Sequence, residues 1–318
     1  MNNKIVKLFV LFLIITSFFS VLIRSVEASD RTDDSQSWIH AGRVEEVQYT
    51  VSDGSKLTKS SFVYLPYGYD ENDFKYDIVY LLHGSTGSSR SYFDSECITD
   101  FQKSVDLMIS QGIMAPVIIV APTYFSDRDS QMKLPLCENV KLIVKFPREL
   151  VEDIIPAVES RYRTYAESTD ENGLCQSRDH RTIGGFSLGA VATWFAFTQK
   201  LSMFHNYIPV SEVSWDDGKG GIIGDTNLNF SAQVIRDSVY KQGFTGDDFS
   251  LVTATGTFDT AFFFVDWQMK VLLNYQETFR AGGNTFYYVY PGGKHCFKYG
   301  QNYIIDAMLQ YFPGAENL

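Results

Sequence analysis

Apolar residues occur along the chain in short, nearly continuous runs separated by longer amphipathic stretches. Residues 78–82 and 116–121 are apolar at almost every position, which predicts strands that are covered on both faces. Further strands are predicted at residues 43–51, 62–65, 182–184, 207–210, 251–255 and 286–290. Helices are predicted at residues 148–162, 188–198, 261–280 and 301–311. This alternation predicts an α/β fold with a mostly parallel central sheet and helices on both faces.

Three stretches, residues 123–146, 166–178 and 214–250, do not fit the regular scheme, and Pro156 predicts a kink inside its helix. Long loops at the carboxyl ends of parallel strands build the ligand site in such folds. We therefore expect the first and third stretches to shape specificity.

A G-x-S-x-G pentapeptide, residues 185–189, lies between a predicted strand and a predicted helix. A serine at such a turn projects its hydroxyl away from the sheet, and the flanking glycines permit a crowded backbone. Ser187 is therefore the candidate nucleophile. The alternative interpretation is an ordinary strand-to-helix turn.

A second glycine-rich segment, residues 83–87, follows the predicted strand 78–82. The backbone N–H groups of Leu188 and Ser85 are the candidate oxyanion donors, and losing one such donor typically costs about 3 kcal/mol of transition-state stabilisation. We expect the ring of His83 to brace this loop rather than to act as a base.

His295 follows a late predicted strand on a glycine-rich turn and is the candidate general base. Asp259 ends the predicted strand 251–255 and is the candidate acid, in the order serine, aspartate, histidine. A helix N-cap is the alternative role for Asp259. Asp216, Asp217 and Asp266 rank below it.

These motifs resemble the esterase D and feruloyl esterase group of α/β-hydrolases, and most of all the feruloyl esterase modules of bacterial xylanases. The likeness extends over residues 42–312. It rests on Val63-Tyr64-Leu65-Pro66, Gly68-Tyr69, Tyr80-Leu81-Leu82-His83-Gly84, Ile154-Ile155-Pro156 ahead of Glu159-Ser160, the pentapeptide, Gly256-Thr257 and Gly292-Gly293. The resemblance implies an α/β-hydrolase fold with Ser187, Asp259 and His295 as nucleophile, acid and base.

Residues 1–28 combine a basic start, an apolar stretch and a small-residue cleavage site ending at Ala28, which predicts a signal peptide and export. An uncleaved anchor is the alternative. Residues 29–318 are then one esterase domain. The leader carries three basic residues and one acidic one, so the formal charge of −11 becomes −13 after its removal. An acidic surface argues against nucleic acid and anionic membranes as partners, and no stable membrane association is expected.

Four cysteines in an exported chain predict disulfides, with Cys137–Cys175 and Cys97–Cys296 as plausible pairs and free thiols as the alternative. No metal site or cofactor is expected. Aromatic residues make up 15% of the chain. Most are expected in the core, and the candidate substrate contacts are Tyr124, Phe125, Trp215 and Tyr299.

Together these features predict a secreted serine esterase that releases feruloyl or related hydroxycinnamoyl groups from plant cell-wall polysaccharide. An acetyl xylan esterase or other carbohydrate deacetylase is the alternative within the same chemistry. A non-catalytic carbohydrate-binding protein on the same fold is the alternative of another class.

Overall fold

Eight strands form one sheet in the part of the chain that the computed structural model describes, residues 40–126, 136–219, 221 and 228–314. They are β1 Arg43–Thr50, β2 Thr58–Leu65, β3 Ile78–Leu82, β4 Ile118–Ala121, β5 Arg181–Phe186, β6 Asn206–Val210, β7 Ser250–Phe258 and β8 Thr285–Lys294. Their order is β1-β2-β4-β3-β5-β6-β7-β8. The pairs β1–β2 and β2–β4 are antiparallel, and the sheet from β4 to β8 is parallel. The mostly parallel sheet predicted from the sequence is therefore confirmed.

The helices connect these strands. They are α1 Asp100–Ser110, α2 Leu136–Glu149, α3 Ile155–Glu159, α4 Glu171–Gln176, α5 Leu188–Gln199, α6 Leu228–Lys241, α7 Phe262–Leu272 and α8 Phe297–Tyr311. Short 3-10 turns occur at Tyr69–Glu71, Ser89–Ser91 and Arg178–His180.

The centre of the sheet is covered on both faces. Every residue of β3, β4 and β5 is buried, although successive side chains on a strand point to opposite faces. The helix α5 is apolar on all sides, and each residue from Leu188 to Thr198 is buried. It packs on β3, β5 and β6 and is covered in turn by α2 and α6. A helix held in this way gives the turn at its first residue a rigid support.

The long helical segment after β4 begins earlier than the sequence pattern predicts. In place of the predicted helix 148–162, the structure has a longer segment that starts at Leu136. It consists of α2, a π-helical turn at Leu150–Ile154, and α3. Pro156 lies in the first turn of α3 and lacks the amide hydrogen that would bond to the helical turn before it. The backbone widens to a π turn just before it, so the irregularity predicted at Pro156 is present as this turn.

The prediction of three irregular stretches is wrong in part, because α2, α4 and α6 begin within residues 123–146, 166–178 and 214–250. The helix predicted at 261–280 ends at Leu272. The predicted leader, residues 1–28, lies outside the described residues. Within the described part of the chain, no helix is long and apolar enough to cross a bilayer.

The predicted disulfide pairs are not formed. Cys97, Cys175 and Cys296 are free thiols, and the side chain of Cys137 lies outside the described residues. Cys97 and Cys296 are exposed to solvent. The alternative of free thiols therefore holds for these three cysteines.

Candidate active site

Ser187 occupies a strained turn between β5 and α5. Its backbone angles are φ 55° and ψ −119°, a conformation that costs a residue with a side chain about 1–3 kcal/mol. The turn is held on both sides, because the Ser187 amide donates to the carbonyl of Val210 at 3.0 Å and the Ser187 carbonyl accepts from Ala190 at 2.8 Å. The strain presents the hydroxyl at the carboxyl edge of the sheet.

Two glycines of the pentapeptide allow this turn to touch the end of β3. A Cβ atom on Gly189 would lie 2.1 Å from the carbonyl oxygen of Leu82, and one on Gly185 would lie 2.6 Å from the same atom. Neither contact leaves room for a methyl group. The first and last glycines of the motif are therefore required by close backbone packing.

His295 directly follows β8 and lies between the other two candidate catalytic side chains. Its Nε2 atom is 2.9 Å from the Ser187 Oγ, and its Nδ1 atom is 2.7 Å from the Asp259 Oδ1. A carboxylate only accepts, so Nδ1 carries the proton and Nε2 is left to accept the hydroxyl proton of Ser187. The structure brings all three predicted residues together in the arrangement of a catalytic triad.

Asp259 follows β7 directly and its side chain is wholly buried. It also accepts the Ala261 amide at 2.8 Å, whereas α7 begins after Ala261 without a side-chain cap. The N-cap position of α7 is thus Ala261 and not Asp259, although the Asp259 carboxylate accepts one amide in the turn that leads into this helix. Close contact between Gly256 and Gly293 lets β7 and β8 bring the aspartate and the histidine together, because a Cβ on Gly256 would lie 2.3 Å from the backbone of Gly293.

The electrostatics of the pair favour a charged carboxylate and a basic imidazole. Burial opposes ionisation of Asp259, but hydrogen bonds from His295 and the Ala261 amide outweigh it and lower the pKa of Asp259. The hydrogen bond to Asp259 raises the pKa of His295 against the opposing effect of burial, and the negative charges of Asp259 and Glu212 add to the increase. His295 is thus prepared to hold a proton during a reaction.

The loop after β3 lies against the serine. A Cβ on Gly84 would be 3.5 Å from the Ser187 Cβ, so the backbone that leads to Ser85 borders the nucleophile. Leu188 is the first residue of α5, a position whose amide has no partner within the helix. Leu188 therefore adjoins Ser187 directly, and the loop that carries Ser85 borders it.

The rings behind this loop support it. His83 is fully buried, and its Nε2 lies 2.8 Å from the Thr123 hydroxyl, which confirms that its ring braces the loop. Tyr124, predicted as a substrate contact, is only 2% exposed and donates its hydroxyl hydrogen to the His83 carbonyl. Phe125 is equally buried. The prediction that Tyr124 and Phe125 face the substrate is wrong, because both pack beneath the loop.

Trp215 and Tyr299 are each partly exposed. Trp215 lies beside the carboxylate of Glu212, and Tyr299 lies in the first turn of α8, four residues after His295. Both therefore remain candidates for substrate contact.

Two residues that the sequence pattern did not single out, Ser211 and Glu212, follow β6 between the strands that carry Ser187 and Asp259. Ser211 is fully buried with φ 60°, and its hydroxyl lies close enough to Asp259 to help lower the pKa of that carboxyl group, although neither Ser211 Oγ nor Asp259 Oδ2 makes a hydrogen bond. Glu212 accepts the Val213 amide at 3.0 Å, and burial raises the pKa of its carboxyl group against the opposing charge of His295. In the sequence, these two residues could have been recognised by their position directly after the predicted strand 207–210. Among the described residues, no group of three or more His, Cys, Asp or Glu side chains could hold a metal ion.

Comparisons with known proteins show that the chain is similar to a xylanase and to feruloyl esterases. The chain is 32% identical over 277 residues to endo-1,4-beta-xylanase Y of Acetivibrio thermocellus. The aligned residues make up 86% of this chain and 23% of that protein. The chain therefore spans about a quarter of the length of this curated relative. No protein-family model matches it.

Solved structures give the same picture. The feruloyl esterase module from Clostridium thermocellum, complexed with sinapinate, superposes with a TM-score of 0.72 at 31% identity, covering 86% of this chain and 88% of that one. A ferulic acid esterase from the anaerobic fungus Anaeromyces mucronatus superposes with a TM-score of 0.60 at 20% identity, over 88% of this chain and 93% of that chain. At that identity the second likeness concerns the fold alone.

Proposed function

The chain belongs to the feruloyl esterase family of α/β-hydrolases, a family of carboxylic-ester hydrolases, and on that premise we propose that it releases hydroxycinnamic acids from acylated plant polysaccharide. The observation that carries the proposal is the pair of hydrogen bonds linking Asp259, His295 and Ser187 at 2.7 and 2.9 Å. The xylanase relative and the sinapinate bound to the solved module support a phenolic acyl group on a xylan.

In the proposed mechanism Ser187 Oγ attacks the ester carbonyl while its proton passes to His295 Nε2. The carbonyl oxygen becomes an oxyanion and accepts hydrogen bonds from the amides of Leu188 and Ser85. Collapse of this tetrahedral intermediate expels the sugar oxygen, which takes the proton from Nε2, and leaves the acyl group on Ser187. The buried carboxylate of Asp259 stabilises the imidazolium that exists between these two proton transfers.

Water then completes the reaction by the same route in reverse. His295 Nε2 takes a proton from the attacking water, and a second oxyanion forms in the same position. When the Ser187–acyl bond breaks, the proton returns to Oγ and the free acid leaves. The proposed partner is an acylated plant polysaccharide or oligosaccharide, and no step of the mechanism uses a cofactor.

Export of the protein is part of the proposal. The basic and apolar character of residues 1–28 supports a cleaved leader, and an insoluble polymer substrate requires an extracellular enzyme. N-terminal sequencing of the protein recovered from culture medium tests this, with a start at Ser29 as the expected result. A protein retained in the cells with Met1 intact would contradict it.

The decisive assay compares the wild type with Ser187→Ala on methyl ferulate, acetylated xylan and p-nitrophenyl acetate. We expect ferulate release that falls by at least 10³-fold in the variant. Ser104→Ala serves as the control, because Ser104 is partly exposed on α1, far along the chain from the triad, and its hydroxyl donates to the Asp100 carbonyl. It should leave every rate unchanged.

The other outcomes distinguish the alternatives. Acetate release from xylan without ferulate release would favour a deacetylase. Xylan binding without Ser187-dependent turnover of any ester would favour a carbohydrate-binding protein.

A further inference from the structure

A group of large aromatic side chains is exposed next to the candidate active site. Phe258, at the end of β7, is 72% exposed, and on α7 Phe263 is 79%, Trp267 54% and Phe264 41% exposed. Contiguous exposed apolar surface of this kind typically marks a binding site. We call these four residues the aromatic surface.

The packing of α7 against the rest of the protein does not involve these exposed side chains. The helix buries a different set of residues against the molecule: Val265, Gln268, Met269 and Leu272. Phe263 and Phe264 lie four and three positions before Trp267, so all three share the outer face of the helix. The Trp267 indole N–H lies 3.2 Å from the Asn229 side-chain oxygen, which fixes the ring in place before any ligand binds.

The aromatic surface begins beside two of the candidate catalytic residues. Phe258 pairs across the sheet with Lys294, and the residues that follow these two are Asp259 and His295. The helix α7 starts at Phe262, and at 1.5 Å per residue Trp267 lies only about 8 Å farther along its axis. A polymer held with its ester at Ser187 extends past the site by several sugar units, which is enough to reach residues in the first turns of α7.

The chemistry of the surface fits neutral sugar rings. The face of an aromatic ring carries partial negative charge and attracts the partly positive C–H groups on one side of a pyranose. The charges nearest on α7 cancel, because Lys270 pairs with Asp266 at 2.6 Å. The chain carries a formal charge of −11, which disfavours an anionic membrane as the occupant.

We propose that Phe258, Phe263, Phe264 and Trp267 bind the sugar chain of the esterified polysaccharide by stacking, and so position esters on the polymer at Ser187. This inference rests on the proposed function and assigns the surface a role in recognising the glycan rather than the acyl group. Small esters that lack the sugar chain gain nothing from the surface.

The test uses Phe263→Ala/Trp267→Ala, with the single variant Phe263→Ala in reserve should the double variant fold poorly. Phe74→Ala is the matched control, because Phe74 is 71% exposed. It precedes β3 and so lies near the amino ends of the parallel strands, whereas Ser187 lies at their carboxyl ends. Affinity electrophoresis in gels containing unesterified xylan measures binding alone. Initial rates on feruloylated arabinoxylan and on methyl ferulate measure its effect on turnover.

We expect wild type and Phe74→Ala to be retarded by xylan and the double variant to lose at least tenfold in affinity. Its kcat/KM should fall about tenfold on feruloylated arabinoxylan and stay within twofold on methyl ferulate. Equal losses on both substrates, or no retardation of the wild type, would overturn the proposal. A wild-type dimer that becomes monomeric in the variant would assign the surface to a second copy of the chain instead.

Failure of the proposed function leaves a separate signature. A wild type that binds xylan through the aromatic surface and hydrolyses neither ester would retain this inference and contradict the esterase proposal.

Discussion

Replacing Gly189 with alanine has two opposing effects, a gain in helix propensity and a steric clash. In the first turn of α5 alanine is favoured over glycine by about 1 kcal/mol. The new Cβ, however, would lie 2.1 Å from the Leu82 carbonyl oxygen and 2.8 Å from that of His83. Carbon atoms in proteins rarely approach closer than about 3 Å to a backbone oxygen, so α5 and the loop after β3 must separate by about 1 Å.

A displacement of 1 Å in a catalytic geometry costs about 10²-fold in rate, or about 2.7 kcal/mol in the barrier. Overpacking adds about 1–3 kcal/mol of destabilisation, which outweighs the gain in helix propensity. We therefore expect Gly189→Ala to lower kcat/KM for p-nitrophenyl acetate about 100-fold while the protein remains folded by circular dichroism.

Gly84→Ala provides a graded comparison, because its Cβ would lie 3.3 Å from the Phe186 ring and 3.5 Å from the Ser187 Cβ. These contacts need only small side-chain adjustments, so its kcat/KM should stay within about tenfold of the wild type. A folded Gly189→Ala enzyme with activity within threefold of wild type would refute the explanation of this glycine by close packing.

Three further predictions concern the site and the thiols. Glu212→Gln removes a negative charge that raises the pKa of His295. Since the base must be neutral to act, the acid limb of the pH profile of kcat/KM should move to lower pH. The control Glu96→Gln, on the surface, should leave this limb unchanged. An unmoved limb in the first variant would contradict the electrostatic role of Glu212. Ser211→Ala removes a buried hydroxyl that helps to keep Asp259 charged without a hydrogen bond to it, so kcat should fall about tenfold with KM little changed. An unchanged kcat would argue against this electrostatic effect. Dithiothreitol should not change the melting temperature, because the described cysteines are free; a decrease would reveal a disulfide.

The sequence pattern located the features that depend on neighbouring residues. Ser187 follows a buried strand of six residues, whereas Asp259 and His295 follow strands of nine and ten residues that continue through the glycines predicted as turns. All three residues still lie at strand ends, so their positions could be predicted from the local pattern. The family resemblance and the α/β-hydrolase fold are confirmed by the sheet order and by the likeness to the feruloyl esterase module.

Features that depend on tertiary packing could not be predicted. Tyr124 looked like a pocket residue because it follows a strand, but its hydroxyl is used by the His83 carbonyl beneath the loop. Ser211 and Glu212 gain their relation to the site only because β6 lies between β5 and β7 in the sheet. The helices within the supposed loops mix polar and apolar residues, and their apolar faces have meaning only against the elements that cover them.

The most direct test of the account is to identify the acyl-enzyme. The enzyme is quenched in acid during turnover of methyl ferulate, digested, and analysed by mass spectrometry. The account predicts a feruloyl ester on the peptide that contains Ser187, and no adduct in Ser187→Ala. Hydrolysis that persists in that variant, or a feruloyl group on another residue, would contradict it.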